Sequence, residues 1–203
     1  MRLVLMSFLS LDGVSQGPGS PDEDTSDGFT RGGWFVPFLD ETLGQRIAVW
    51  VDQADAFLFG RRTYENFSRD WPKMTDPGDS IAASLNGLPK YVASRTLMRA
   101  DWAPTTILSG DVLAQIAALK RQPGRELQIH GSGRLAQSLL AAGLIDELRL
   151  MIAPVIVGQG RRLFPEQGAP AGLRLRSHET TPLGGAVHIY EPTGLPEYGT
   201  YGE

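Results

Sequence analysis

Apolar positions along the chain alternate between two periodicities, and that alternation predicts the class of fold. Short apolar runs at 2–9 (RLVLMSFL), 54–59 (ADAFLF), 90–93 (KYVA), 127–130 (LQIH) and 148–157 (LRLMIAPVIV) read as buried strands, with a brief one at 107–108. Between them, apolar residues recur every three or four positions. Leu39, Leu43, Ile47 and Trp50 mark a helix over 39–51, with Asp40 and Glu41 in its first turn, where carboxylates suit the positive end of the helix dipole. Residues 61–67, 80–85 and 112–120 read as further helices, and Leu135, Leu139 and Ala142 define another that stops at Gly143. Near the end the pattern changes: 173–179 and 186–191 form a closing antiparallel pair, and the tail from Pro192 is expected to be loose. Strand and helix alternate about four times with no internal repeat and no shift of composition. The expectation is a single domain over 1–203, an α/β fold with a mostly parallel central sheet and an antiparallel C-terminal edge.

Loops interrupt this order at several points. Residues 17–33 (GPGSPDEDTSDGFTRGG) are too rich in Gly, Pro, Ser and Asp for a regular element and too many for an ordinary connection, so they read as a mobile lid or a disordered excursion. Trp34, Phe35 and Phe38 follow at once, and such an aromatic patch either lines a pocket or anchors the next helix to the core. Residues 71–79 and 158–162 are loops of the same kind.

Composition narrows the function classes. With 19 Lys+Arg against 23 Asp+Glu and no basic block, nucleic acid is not an expected partner. The chain has no cysteine, which excludes disulfides, thiolate catalysis and cysteine metal sites. His130, His178 and His188 show no ligand-like grouping, so no metal site is expected. The opening MRLVLMSFLSLDG lacks a small-x-small cleavage site and runs into the turn SLDG at 10–13, which favours a first strand over a signal peptide. No apolar run approaches the ~20 residues that a membrane helix needs. A soluble, cytoplasmic protein without a membrane partner is expected.

Candidate chemistry gathers where strands meet glycine turns. Gly131-Ser132-Gly133 lies between a strand and a helix; glycines at a helix mouth let backbone approach a ligand, and the free N–H groups of the first turn favour an anion. Gly131, Gly133 and Ala136 also fit the G-x-G-x-x-A dinucleotide fingerprint. Its late position in the chain and the early acidic pair Asp146-Glu147 argue against a Rossmann unit, and a tight turn with no ligand stays open. The same arrangement recurs at Gly60, now with Arg61, Arg62 and Thr63 at the helix mouth, reading either as an anion site or as a solvated arginine pair. Ser94, Arg95 and Thr96 follow the strand at 90–93 and offer a pocket for a phosphate monoester, or an exposed turn with a capping serine.

Four segments together carry a resemblance: MSFLSLDG at 6–13, FGRRTYE at 59–65, VASRTL at 92–97 and IHGSGRLAQSLLAAGLIDELRL at 129–150. They resemble the dihydrofolate reductase-like fold, a three-layer α/β/α arrangement. More closely, over about residues 2–165, the chain is similar to the C-terminal reductase domain of the bifunctional riboflavin-biosynthesis deaminase-reductase and its free-standing bacterial relatives. The resemblance implies that NADPH is the cofactor, with Gly60, Arg61, Arg62 and Thr63 together with Gly131, Ser132, Gly133, Arg134 and Leu135 on its pyrophosphate. Ser94, Arg95 and Thr96 would take the 2′-phosphate, and Arg95 implies NADPH over NADH. One dinucleotide would then satisfy all three turns.

The implied reaction is hydride transfer to a C=N or C=O carbon of a pterin-, pyrimidine- or ribitol-like substrate, similar to that of 5-amino-6-(5-phosphoribosylamino)uracil reductase. Asp12 would lie near the nicotinamide as substrate contact or proton relay, or merely cap its turn. Asp40 is a second acidic candidate on the helix after the lid loop, or only stabilises that helix start. A homodimer is implied as well. Reduction of dihydrofolate or another pterin, and a non-catalytic NADPH sensor, remain the alternatives. The bifunctional relative's His-x-Glu and Pro-Cys-x-x-Cys deaminase motifs are absent from the sequence, and the 17–33 loop and 34–38 aromatics exceed the minimal domain.

Overall fold

A computed structural model of the protein describes residues 1–202. Eight strands, β1 (Arg2–Ser10), β2 (Ala54–Gly60), β3 (Lys90–Ala93), β4 (Thr105–Leu108), β5 (Glu126–His130), β6 (Glu147–Ala153), β7 (Gly172–Thr180) and β8 (Ala186–Gly194), form one sheet in the order β4-β3-β2-β5-β1-β6-β8-β7. β4 through β6 in that order run parallel, and β8 and β7 close the edge antiparallel. Five α-helices accompany them: α1 (Glu41–Asp52), α2 (Arg61–Asp70), α3 (Ser80–Gly87), α4 (Val112–Lys120) and α5 (Gly133–Ala141).

Near-continuous apolar strands belong in a sheet covered on both faces, and the burial shows this. Leu3 and Leu5 of β1 join Leu127 and Ile129 of β5 under Ile116 of α4 and Leu139 of α5. Val4 and Met6 point the other way, toward Phe29, Trp34, Leu43 and Trp50. On that second face Phe57 and Phe59 of β2 meet Val51, Tyr64 and Leu85 of α1, α2 and α3. Each fully buried phenylalanine contributes about 1.5–3 kcal/mol relative to exposure. The α/β/α layering expected from the resemblance is therefore present.

Several element ends differ from the sequence reading by a few residues, and two of the differences have a clear local reason. The strand expected over 148–157 stops at Ala153, because Pro154 has no N–H for the ladder and Val155 N turns back to Ala153 O at 2.8 Å. The tail from Pro192 is not loose at its start: β8 continues to Gly194, with Leu173 opposite Pro192. Its partner β6 has ended at Tyr190, so the proline's missing donor faces no second strand there. Residues 17–33 contain one 3-10 turn, Ser26–Gly28, and Phe29 is buried in the core.

One buried cation also escapes a sequence reading. The Lys90 side chain is enclosed, its Nζ donating to the carbonyls of Leu85, Asn86 and Leu88 at the end of α3, 4.5 Å from the Trp102 ring centroid. Burial pushes its ammonium down to about 8.

Candidate functional site

β2 and β5 are parallel neighbours with Leu58 opposite Ile129, so the turns that end them, at Gly60 and at Gly131-Ser132, come side by side. α2 leaves β2 over the Tyr64 face and α5 leaves β5 over the Leu139 face. Helices that depart to opposite faces from adjacent strand ends open a crevice, the usual ligand position of an open α/β sheet.

The helix starts at this crevice differ from the other three. Asp40, Asp79 and Asp111 cap α1, α3 and α4 by accepting from Leu43 N at 2.9 Å, Ala82 N at 2.9 Å and Ala114 N at 3.0 Å. At α2 and α5 the cap positions are Gly60, which has no side chain, and Ser132, whose hydroxyl makes no bond to its own helix. Their first-turn amides have no side-chain cap, the state in which a helix start can take an anion. Ser132 instead joins the two turns: its Oγ accepts from Gly60 N at 2.9 Å and lies 3.0 Å from Thr63 Oγ1 and 3.1 Å from His130 O.

Gly131 and Ser132 both adopt left-handed backbone, φ 56° and 55°. A Cβ on Gly131 would stand 3.8 Å from Thr63 Oγ1, so conformation and not space demands glycine there. Ser132 has no such licence and carries strain of about 1–3 kcal/mol, a cost found mainly at functional turns.

The third turn lies beside them, since β3 flanks β2. Ser94 Oγ accepts from Thr96 N at 3.2 Å and Leu97 N at 2.9 Å, so that hydroxyl is occupied in shaping the turn. Thr96 Oγ1 accepts from Arg61 Nη1 at 2.9 Å, which links the second and third turns. Arg95 and Arg134 are exposed and take part in none of the ion pairs among the described residues. Leu135, in the first turn of α5, packs its side chain half-buried on the core. A depression of about 560 Å³ between α2 and the following chain, lined by Tyr64, Leu97, Arg99 and Trp102, adjoins the Ser94-Arg95-Thr96 turn.

Arg62 is drawn elsewhere. Its Nη1 lies 3.2 Å from Asp27 Oδ2, and the same carboxylate oxygen accepts from Arg161 Nη1 at 2.6 Å. Asp27 has φ 59° and a carboxyl held below its ordinary value, first by the hydrogen bond from Arg62. Arg161 also binds Asp24 and donates to Ser26 Oγ at 2.9 Å. The 17–33 loop is thus tied to α2 and to the chain after β6.

The two acidic candidates are not brought together. Asp12 receives Ser10 Oγ at 2.7 Å, Val157 N at 2.9 Å and Gly158 N at 2.8 Å, with Arg162 Nη2 at 3.5 Å. The Ser10 hydroxyl and these amides hold its carboxyl far below the usual carboxylate range. Both oxygens are occupied by these donors, the arrangement of a carboxylate that organises its turn. Asp40 caps α1 and also accepts from Leu183 N at 3.2 Å in the β7–β8 turn, at the opposite side of the sheet from β2 and β3.

The sequence reading gives His130 no role beyond ending its strand. It ends β5 directly before the Gly131 turn, with Nε2 3.2 Å from Gln128 Oε1 and the rings of Phe57, Phe59 and Phe67 at 5.3, 6.5 and 6.4 Å. Burial, and then the charge of Arg149, push it down to about 4. The signal available was polar residues at every second position, Glu126, Gln128 and His130, in an otherwise apolar strand. Among the described residues no cluster of His, Asp or Glu could hold a metal ion, and no helix is long and apolar enough to cross a membrane.

Comparison with known proteins follows this geometry. Residues 2–189 match the family model described as the RibD C-terminal domain. The chain is 28% identical over 195 residues to the uncharacterized protein YyaP of Bacillus subtilis (strain 168), covering 95% of this chain and 96% of that protein. Among solved structures it is similar to a Shewanella sp. PV-4 protein described provisionally as a riboflavin biosynthesis protein, at TM-score 0.68 and 20% identity over 95% of this chain and 99% of the other. A diaminohydroxyphosphoribosylaminopyrimidine deaminase/5-amino-6-(5-phosphoribosylamino)uracil reductase from Thermotoga maritima aligns at TM-score 0.62 and 12% identity, covering 94% of this chain and 56% of that one. At these identities the structural likeness concerns the fold.

Proposed function

The chain belongs to the family of the RibD C-terminal domain, and from that premise we propose that it is an NADPH-dependent reductase of a small heterocyclic substrate. The observation that carries this reading is the pair of uncapped helix starts at one crevice, beside a third turn with an unpaired arginine. Two phosphates of a dinucleotide need amide donors at two helix mouths, and a 2′-phosphate needs a guanidinium.

In this reading Gly60, Thr63 and the amides of Gly133, Arg134 and Leu135 surround the pyrophosphate, with Ser132 fixing the two mouths relative to each other. Arg61 and Thr96 join this region to the 2′-phosphate position, where Arg95 supplies the charge. Arg62 reaches the pyrophosphate only by leaving Asp27. When bound, NADPH supplies a hydride to a C=N or C=O carbon of a pyrimidine-, pterin- or ribitol-type substrate. The protein's part is alignment and exclusion of water, and Asp12 serves it by holding the 155–162 segment against the turn that ends β1.

Calorimetric titration with NADPH and NADH tests the reading. A charge-assisted arginine-phosphate contact is worth on the order of 1.5–3 kcal/mol, so NADPH binds at least about tenfold tighter than NADH, and Arg95→Ala erases most of that gap. Failure of both nucleotides to bind overturns it.

A further inference from the structure

The polar ladder of β5 fixes the hydrogen-bonding state of the histidine at its end. Glu126, Gln128 and His130 share the face under α1, and Gln128 Nε2 donates both its protons, to Trp50 O at 2.6 Å and to Glu126 Oε2 at 2.7 Å. Its amide oxygen is therefore the atom that meets His130 Nε2, and an oxygen that only accepts requires the proton on Nε2. Glu126 in turn accepts from Arg149, Nη1 at 3.0 Å and Nη2 at 2.6 Å, so the ladder has one direction throughout. The remaining ring nitrogen, Nδ1, then carries a bare lone pair.

That lone pair is unused. No hydrogen bond reaches Nδ1 among the described residues, and the one sealed side-chain N or O atom without a partner is Thr181 Oγ1, so Nδ1 is open to a ligand. His130 lies opposite Met6 at the C-terminal end of β1–β5 pairing, next to the amide that bonds Met6 O at 3.0 Å, with three phenylalanine rings about it. Burial, and after it the positive charge of Arg149, keep the imidazole neutral, hence an acceptor at Nδ1.

We propose that His130 Nδ1 accepts a hydrogen bond from a ring N–H of the substrate and makes the site selective for heterocycles with such a donor. This rests on the reductase reading of the crevice and adds the residue that chooses the ring. A half-buried acceptor that a bound ring would cover rejects a ring that lacks the donor more strongly than an apolar wall does, because binding would then desolvate the lone pair without giving it a partner.

The test uses the NADP⁺-loaded protein with ring-¹⁵N-labelled histidine and two probes, 5,6-diaminouracil and 1,3-dimethyluracil, the second without any N–H. Nitrogen spectra of the free protein show Nε2 protonated and Nδ1 bare; adding 5,6-diaminouracil moves Nδ1 toward the protonated range, and 1,3-dimethyluracil leaves it in place. The diamino probe binds about tenfold or more tighter than the dimethyl probe, a preference lost in His130→Leu and kept in part in His130→Gln, whose amide oxygen still accepts. NADPH affinity stays unchanged in both variants. A proton on Nδ1 in the free protein overturns the proposal, and so does an Nδ1 signal that ignores saturating diamino probe. Loss of NADPH binding by the wild-type protein sinks the reductase reading instead, while the same nitrogen spectra recorded with the probe alone still decide the acceptor.

Discussion

Asp12 illustrates how burial of a role differs from burial of a residue. Its carboxylate is the acceptor for a serine hydroxyl and two loop amides, so it organises backbone that has no other partner. Asparagine at this position keeps one oxygen but turns an N–H toward a second N–H. Asp12→Asn is therefore expected to cost about 1–3 kcal/mol at pH 7, read as a lower urea midpoint with unchanged slope. The pH dependence has a definite sign. The folded carboxyl lies below its unfolded value, so its contribution is full above about pH 4 and is lost as pH falls further. The gap between wild type and variant should then narrow on acidification below pH about 4, and a gap constant with pH would contradict the account.

At the scale of elements, sequence and structure agree where a local signal settles the matter. Asp40, Asp79 and Asp111 stand before three helices as caps, while Gly60 and Gly131-Ser132-Gly133 stand before the other two, and that contrast is readable from the residues alone. What is not readable is which distant segments meet them. Arg61 and Thr96, Arg62 and Asp27, and Asp12 and Gly158 are joined by tertiary contact with no local pattern. The 17–33 loop shows the consequence: its composition suggests freedom, yet Asp27 is shared by Arg62 and Arg161, and Phe29 is in the core. The loop's attachment is thus mostly exposed charge, which stabilises the whole molecule little but can set local opening. Asp27→Asn is expected to raise the rate of limited proteolysis within 17–33 several-fold while leaving the global unfolding midpoint in place. Unchanged cleavage would show that Phe29 and the Arg161–Asp24 pair hold the loop without Asp27.

The whole molecule is joined by a network that composition conceals. Glu126, Gln128 and Arg149 look like the polar side of half-solvated strands, but α1 covers that face and Arg149 retains 4% side-chain exposure. From β6 its guanidinium passes over β1 to Glu126 of β5, takes Glu147 at 2.7 Å and Gln53 Oε1 at 3.3 Å, and lies 5.3 Å from the Trp50 ring centroid. One side chain therefore links strands on both sides of β1 to α1, and through Gln128 to His130 at the crevice. Buried pairs of this kind are weak evidence for net stability, since desolvation opposes their attraction, but removing one partner strands the others. Arg149→Met is expected to cost about 3–5 kcal/mol, a large share of the roughly 5–15 kcal/mol that holds a domain folded. Adding Glu126→Gln and Glu147→Gln should restore much of that loss, because amides tolerate the apolar neighbour that carboxylates do not. If the single variant unfolds in urea like wild type, Arg149 is not the counter-charge of Glu126, and the direction of the ladder at His130 rests on the Trp50 carbonyl alone.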